Sequence, residues 1–238
     1  MDNAGYATLT RQSGLMRELQ IIANNIANTS TTGFKSEGAM FSEHVAALGG
    51  NDQSLSMANA AVRATNHTQG ALARTGAPFD LAIEGEGFFQ VLTPQGERLT
   101  RAGSFTPNEA GDLVTMDGYP ILGAGGAPVF VPPDAGAIAI GADGTISAGG
   151  DPIGQIGLVL PEDPAQLTRE GGTFFVSEGP VGDAPDARMI QGFLEQSNVN
   201  PMAQIGRMIE VQRAYELGQS FLEQEHERIG KVIDATRR

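Results

Sequence analysis

Apolar positions near the N-terminus recur at helical spacing. Leu15, Leu19, Ile22 and Ile26 step by four, three and four residues, which aligns them on one face of an α-helix. The spacing predicts a helix over residues 3–28. Asn24, Asn25 and Asn28 sit in and beside that stripe, although an Asn amide competes with the backbone for hydrogen bonds and is a mediocre helix former. Thr29, Ser30, Thr31 and Thr32 follow, then a Gly33-Phe34 exit.

The last part of the chain repeats the helical pattern. Asn200-Pro201 supplies an N-cap residue and a proline at the first helical position. Met208, Val211, Tyr215, Gly218, Leu222, Glu225, Ile229 and Val232 then alternate steps of three and four, a coiled-coil register. Gly218 and Glu225 break an otherwise apolar seam. The spacing predicts a second helix over 201–236, roughly 54 Å long against roughly 38 Å for the first, at 1.5 Å per residue.

Between the helices the period changes. Short apolar runs, FDLAI (79–83), FFQVL (88–92), PVFV (128–131), AIAI (137–140), GQIGLVL (154–160), FFV (174–176) and MIQGF (189–193), are separated by turn dipeptides such as Asp117-Gly118 and Asp143-Gly144. Asp-Gly suits tight hairpins because both central positions take positive φ. Many short strands at close spacing predict an all-β sandwich or irregular barrel. The chain thus reads as α+β: an N-terminal helix (1–35), an extended linker or arm (36–70), a β-rich domain (71–196) and a C-terminal helix (197–238) that pairs with the first as a coiled coil. Residues 36–69 carry too little periodicity to separate an arm from a hairpin.

Composition narrows the function. Apolar residues are 40% of 238, glycines number 32, and tryptophan and cysteine are absent. Lack of cysteine excludes disulfides, zinc-thiolate sites and thiol catalysis. The first residues do not follow the basic, apolar and small-residue order of a cleaved secretory leader, and no run reaches the length of a membrane span. The net charge of −13 is uneven: residues 1–35 carry +1, 201–238 carry zero and 36–200 carry −14. So acidic a middle repels nucleic acid and anionic lipid, while the near-neutral ends can pack together.

Each helix has a stripe too narrow to stand alone. The two could pack on each other and on the β domain within one molecule. Alternatively they pair and bury their remaining faces against other copies. The asparagines favour the second arrangement, because a buried amide at a repeating contact selects register and partner.

Four blocks carry a resemblance. ANNIANTSTTGFK (23–35), PFDLAIEGEGFFQV (78–91), LTRAGSFTPNEAGDLVTMDGYPILG (99–123) and SNVNPMAQIGRMIEVQRAYELGQ (197–219) resemble, in order, the shared segments of the bacterial flagellar rod and hook axial proteins. The block 138–175 is more similar to proximal-rod than to distal-rod members of that family. The resemblance implies a non-enzymatic structural subunit without cofactors. It implies export, without leader cleavage, through the flagellar type III apparatus, and polymerisation in the periplasm with copies of itself and other rod proteins into a drive shaft for motor torque. It implies no nucleic-acid partner and no membrane insertion. In that setting the expected subunit-interface residues are Leu15, Leu19, Ile22, Asn24, Asn25, Ile26, Asn28, Gly33, Phe34, Met208, Val211, Tyr215, Leu222, Ile229 and Val232. A distal-rod subunit is the nearest alternative; a secreted adhesin or an enzyme acting on cell-wall glycan lies further off.

Other chemistry is sparse. His44, His67 and His226 have no metal-ligand spacing. Gly123-Ala124-Gly125-Gly126 is not followed by Lys-Ser/Thr, so a flexible turn is expected rather than a phosphate loop. Glu84 and Glu86 flank Gly85; two carboxylates could do acid–base work on a glycan, but their glycine-rich setting reads as an exposed turn.

Overall fold

A computed structural model describes the backbone of residues 2–46 and 55–236, with side chains described at 8–40, 63–231, 234 and 235. The chain divides into two compact units interleaved in sequence. The first comprises residues 1–29, 36–66 and 199–238, and the second 30–35 and 67–198.

The first unit holds both helices and a hairpin. α1 runs Asp2–Ala27. β1 (Glu37–Ala46) and β2 (Leu55–Thr65) pair antiparallel, with a register shift between Met40 and Phe41. The stretch of weak periodicity is therefore a long hairpin rather than a featureless arm, and α1 lies against both its strands. The C-terminal helix, α2 (Pro201–Thr236), begins at the anticipated proline, with Asn200 Oδ1 accepting from the Ala203 amide at 3.1 Å.

The second unit is built of small antiparallel sheets. Its strands are β3 (Leu72–Arg74), β4 (Leu81–Glu84), β5 (Phe88–Thr93), β6 (Gly96–Thr100), β7 (Phe105–Pro107), β8 (Leu113–Thr115), β9 (Ile138–Ile140), β10 (Thr145–Ala148), β11 (Asp151–Gln155), β12 (Leu158–Pro161), β13 (Leu167–Gly171), β14 (Phe174–Ser177), β15 (Val181–Asp183), β16 (Arg188–Gln191) and β17 (Phe193–Glu195). The largest sheet has the order β13-β14-β6-β5-β12-β15. The earliest strands pair with the latest: β3 with β17 and β4 with β16. The run PVFV forms isolated bridges rather than a strand, and MIQGF splits in two at Gly192, whose φ of +75° suits glycine. The core gathers Leu81, Ile83, Phe89, Val91, Leu113, Ile121, Ile146 and Ile156. Phe88, Leu99 and Phe175 form a smaller apolar cluster.

Candidate assembly surfaces

The seam between α1 and α2 follows the two apolar stripes. Leu15, Ile22 and Val211 are buried together, with Leu19, Ile26, Met208, Ala214 and Tyr215 packed around them. Side-chain contacts fix the helices as antiparallel: Asn25 meets Gln204, Glu18 meets Arg207, and Gln12 meets Tyr215. The Glu18–Arg207 pair spans 2.7 Å and holds the guanidinium pKa above its usual value. With ten more residues than α1, and in this register, α2 runs past the N-terminal end of α1. That explains why Ile229, expected in the seam, is 47% exposed. Leu222 is half-buried, and the side chain of Val232 lies outside the described residues.

One break in the seam now has a cause. A Cβ built on Gly218 would stand 2.4 Å from Gln12 Nε2. The missing side chain admits the Gln12 amide, which donates to the Tyr215 carbonyl at 2.9 Å.

The three asparagines divide their work. Asn25 is fully buried. Its Nδ2 donates to the Glu37 carbonyl at 2.7 Å, its Oδ1 accepts from the Glu37 amide at 2.9 Å, and Nδ2 also reaches Gln204 Oε1 at 3.3 Å. An amide matches a peptide group in both senses, so Asn25 pins the first residue of β1 to the end of α1. Asn28 donates to the Asn24 carbonyl at 2.8 Å and to Asn24 Oδ1 at 3.1 Å, bonds that finish the helix locally. Asn24 itself is exposed.

Gly33 and Phe34 belong to the second unit, where they expose a feature the sequence reading passed over. Gly33 has φ of +69°, and a Cβ there would lie 2.3 Å from the Ala102 amide nitrogen. Only glycine fits so close a backbone approach. Phe34 is 1% exposed, with the Arg169 guanidinium 4.4 Å from its ring centre. Beside it Lys35, Glu195 and Arg101 form a buried ion cluster. Glu195 Oε1 accepts from Lys35 Nζ at 2.5 Å and from the Gly70 amide at 2.9 Å. Its other oxygen faces Arg101 Nη1 at 3.3 Å, and its backbone carbonyl accepts from Gly33 at 2.8 Å. Lys35 also donates to the Thr68 carbonyl at 2.9 Å. Burial lowers the pKa of Lys35 and of Arg101, and Glu195 opposes that shift in both. His67 packs against Phe88 and Phe175; burial, with Lys35, Arg101 and Arg169 nearby, lowers its pKa. Lys35 and Arg101 stand in two of the four motif blocks and Glu195 just before a fourth, so the blocks converge here.

Glu84 and Glu86 are exposed on either side of Gly85, whose φ is +97°. Among the described residues no group of three or more His, Asp or Glu could hold a metal, and no helix is long and apolar enough to cross a membrane.

Three protein families match successive parts of the chain. They are flagella basal body rod protein at residues 6–35, flagellar hook protein FlgE/F/G D1 domain at 82–148, and flagellar basal body rod FlgEFG protein C-terminal at 190–235. Whole-length relatives agree. Flagellar basal-body rod protein FlgF of Caulobacter vibrioides is 44% identical over 222 residues, covering 91% of this chain and 90% of that one. FlgF of Rhizobium meliloti is 36% identical over 238 residues, covering 98% of each. FlgG of Bacillus subtilis is 32% identical over 260 residues, again covering 98% of each.

Proposed function

We propose that this chain, which belongs to the flagellar basal-body rod proteins in their FlgF group and is a structural rod subunit, polymerises through its paired terminal helices. The polymer is the periplasmic part of the torque-carrying shaft, built from copies of itself and other rod components. The chain reaches that site through the flagellar type III export apparatus without losing a leader. The expected interface residues sort accordingly: the buried seam sets the shape of the helix pair, and the outer faces of α1 and α2 meet neighbours.

The observation that carries this reading is the antiparallel seam formed by the two ends of the chain. It leaves apolar residues outward on both helices: Leu9 and Met16 on α1, and Met202, Ile205 and Ile209 on α2, all more than 40% exposed. A subunit that acted alone would have no use for so many apolar groups held in water.

The test is complementation. A strain lacking its own copy is supplied with this chain, or with the chain carrying Leu15→Asp and Val211→Asp. Basal bodies are imaged and swimming is scored. The unaltered chain restores rods and motility, and the doubly substituted chain does neither. Normal rods built from the latter, or none from the former, would sink the reading.

A further inference from the structure

Residues 30–35 leave the first unit after α1, dock on the second and return to the first before β1. They form no strand, so side chains and single backbone bonds hold them in place. The Gly33 amide donates to the Glu195 carbonyl at 2.8 Å, and the Phe34 carbonyl accepts from the Asn198 amide at 3.3 Å. Phe34 lies under the Arg169 guanidinium, which also donates to the Lys35 carbonyl. Lys35 itself reaches Glu195 and the Thr68 carbonyl. His67 stands beside this hold. Its ring centre is 5.6 Å from that of Phe175 and 6.2 Å from that of Phe88, and its Nδ1 is buried without a hydrogen-bond partner.

The charges around that ring are one-sided. Lys35 on the docked segment, Arg101 just past β6 and Arg169 on β13 all act on it. The carboxylate of the cluster, Glu195, is committed to Lys35, Arg101 and the Gly70 amide. Glu86, which acts on Arg101, is exposed. Burial and the three cations hold the imidazole neutral. A proton would add a fourth positive charge where partly buried groups are poorly screened; on Nδ1 it would also create a buried N–H with no acceptor. Arg101 and Arg169 are tied to strands of the largest sheet. Lys35 stands on a segment without ladder bonds, so withdrawing that segment is the readiest relief.

We propose that protonation of His67 unseats residues 30–35 from the second unit, so that the buried cluster works as an acid-sensitive latch. The sheets stay folded, while the stretches that lead to α1 and β1 lose their anchor. With the segment seated, the ring resists the proton. With it withdrawn, the ring reaches water and regains its ordinary value near 6.5. Protons therefore favour the open form: the latch is closed above about pH 6.5 and loosens as pH falls below it.

Hydrogen exchange on the full-length chain tests this, because local opening is read amide by amide. The Gly33 and Asn198 amides, both bonded across the docked segment, are compared with those of β5 and β6 between about pH 7.5 and about pH 5.5, after correction for the intrinsic pH dependence of exchange. The expected result is a several-fold loss of protection at Gly33 and Asn198, up to about tenfold for one pH unit below the ordinary histidine value, with β5 and β6 changing less. His67→Phe keeps an aromatic ring beside Phe88 and Phe175 but takes no proton, and the extra loss disappears. No differential loss in the parent, an equal loss across β5 and β6, or a loss that persists in His67→Phe overturns the proposal. A second measurement covers a variant that fails to fold. In the parent, the His67 ring resonances and the Gly33 amide shift titrate with one midpoint; separate midpoints refute the latch.

Discussion

Replacing Glu195 by alanine removes the single carboxylate that Lys35 and Arg101 share. All three side chains are at most 4% exposed, so water cannot replace what is lost. Breaking a buried pair by deleting one partner costs about 3–5 kcal/mol, because the other charge is left stranded. Here two cations are stranded, and the Gly70 amide loses its acceptor as well, so the upper end of that range is expected. For a protein of this size the loss lowers the melting temperature by roughly 6–20 °C. Urea unfolding of the full chain, followed by hydrogen exchange at the amides of β4 and β17, reads the effect where it acts. Glu195→Gln strands the same two cations but keeps an acceptor for the Gly70 amide, so it loses less than alanine by about 1 kcal/mol. Combining Lys35→Met, Arg101→Leu and Glu195→Leu recovers much of the alanine variant's loss, since an apolar replacement leaves no stranded charge. An alanine variant within about 1 kcal/mol of the parent, the range of an ordinary substitution, would show that the cluster stabilises nothing.

Three more predictions follow from the geometry. Asn25→Ala removes both bonds that the side chain makes to the Glu37 peptide group, costing about 1–3 kcal/mol in the first unit and impairing rod assembly; wild-type stability and motility would contradict the clamp. Gly218→Ala displaces the end of the Gln12 side chain and breaks its bond to the Tyr215 carbonyl, whereas in a Gln12→Ala background it gains about 1 kcal/mol of helix propensity, measurable as a higher urea midpoint. His67 has a folded pKa below its unfolded value, so the unfolded chain takes up the proton first and stability falls as pH drops below about 6.5. A stability profile from pH 8 to 5 displays that slope, and His67→Phe flattens it; an unchanged slope would assign it to other groups.

The helices were legible because periodicity reports a face. The stripe from Leu15 to Ile26 and the cap at Asn200-Pro201 needed no tertiary information, and α2 begins at the residue where spacing puts it. Ile229 looked like a seam residue because heptad spacing records azimuth but not the length of the partner helix. The asparagines stand out in the sequence by their cost in a helix, yet Asn25 meets that cost inside its own chain through Glu37. The hairpin β1–β2 was indistinct because its strands mix Ala, Gly, Ser and charged residues without clean alternation. Lys35, Arg101 and Glu195 were missed because a lone charge in a polar segment looks solvated. Their partnership spans 160 residues, and nothing local encodes it. Gly33 was the nearest clue, since glycine after four hydroxyl residues implies either a loose exit or a place where two backbones touch.

The chain passes between its two units at 29/30, 35/36, 66/67 and 198/199, which has a consequence for anyone wishing to exchange parts between relatives. The obvious cassette, residues 67–198, is the wrong one to graft. It would carry Arg101 and Glu195 from the donor while leaving Phe34 and Lys35 to the recipient, and a recipient with anything else there would give a chimera whose bed is missing its sleeper. The six residues 30–35 must travel with the cassette, although 31 residues of the other unit separate them from it in the gene.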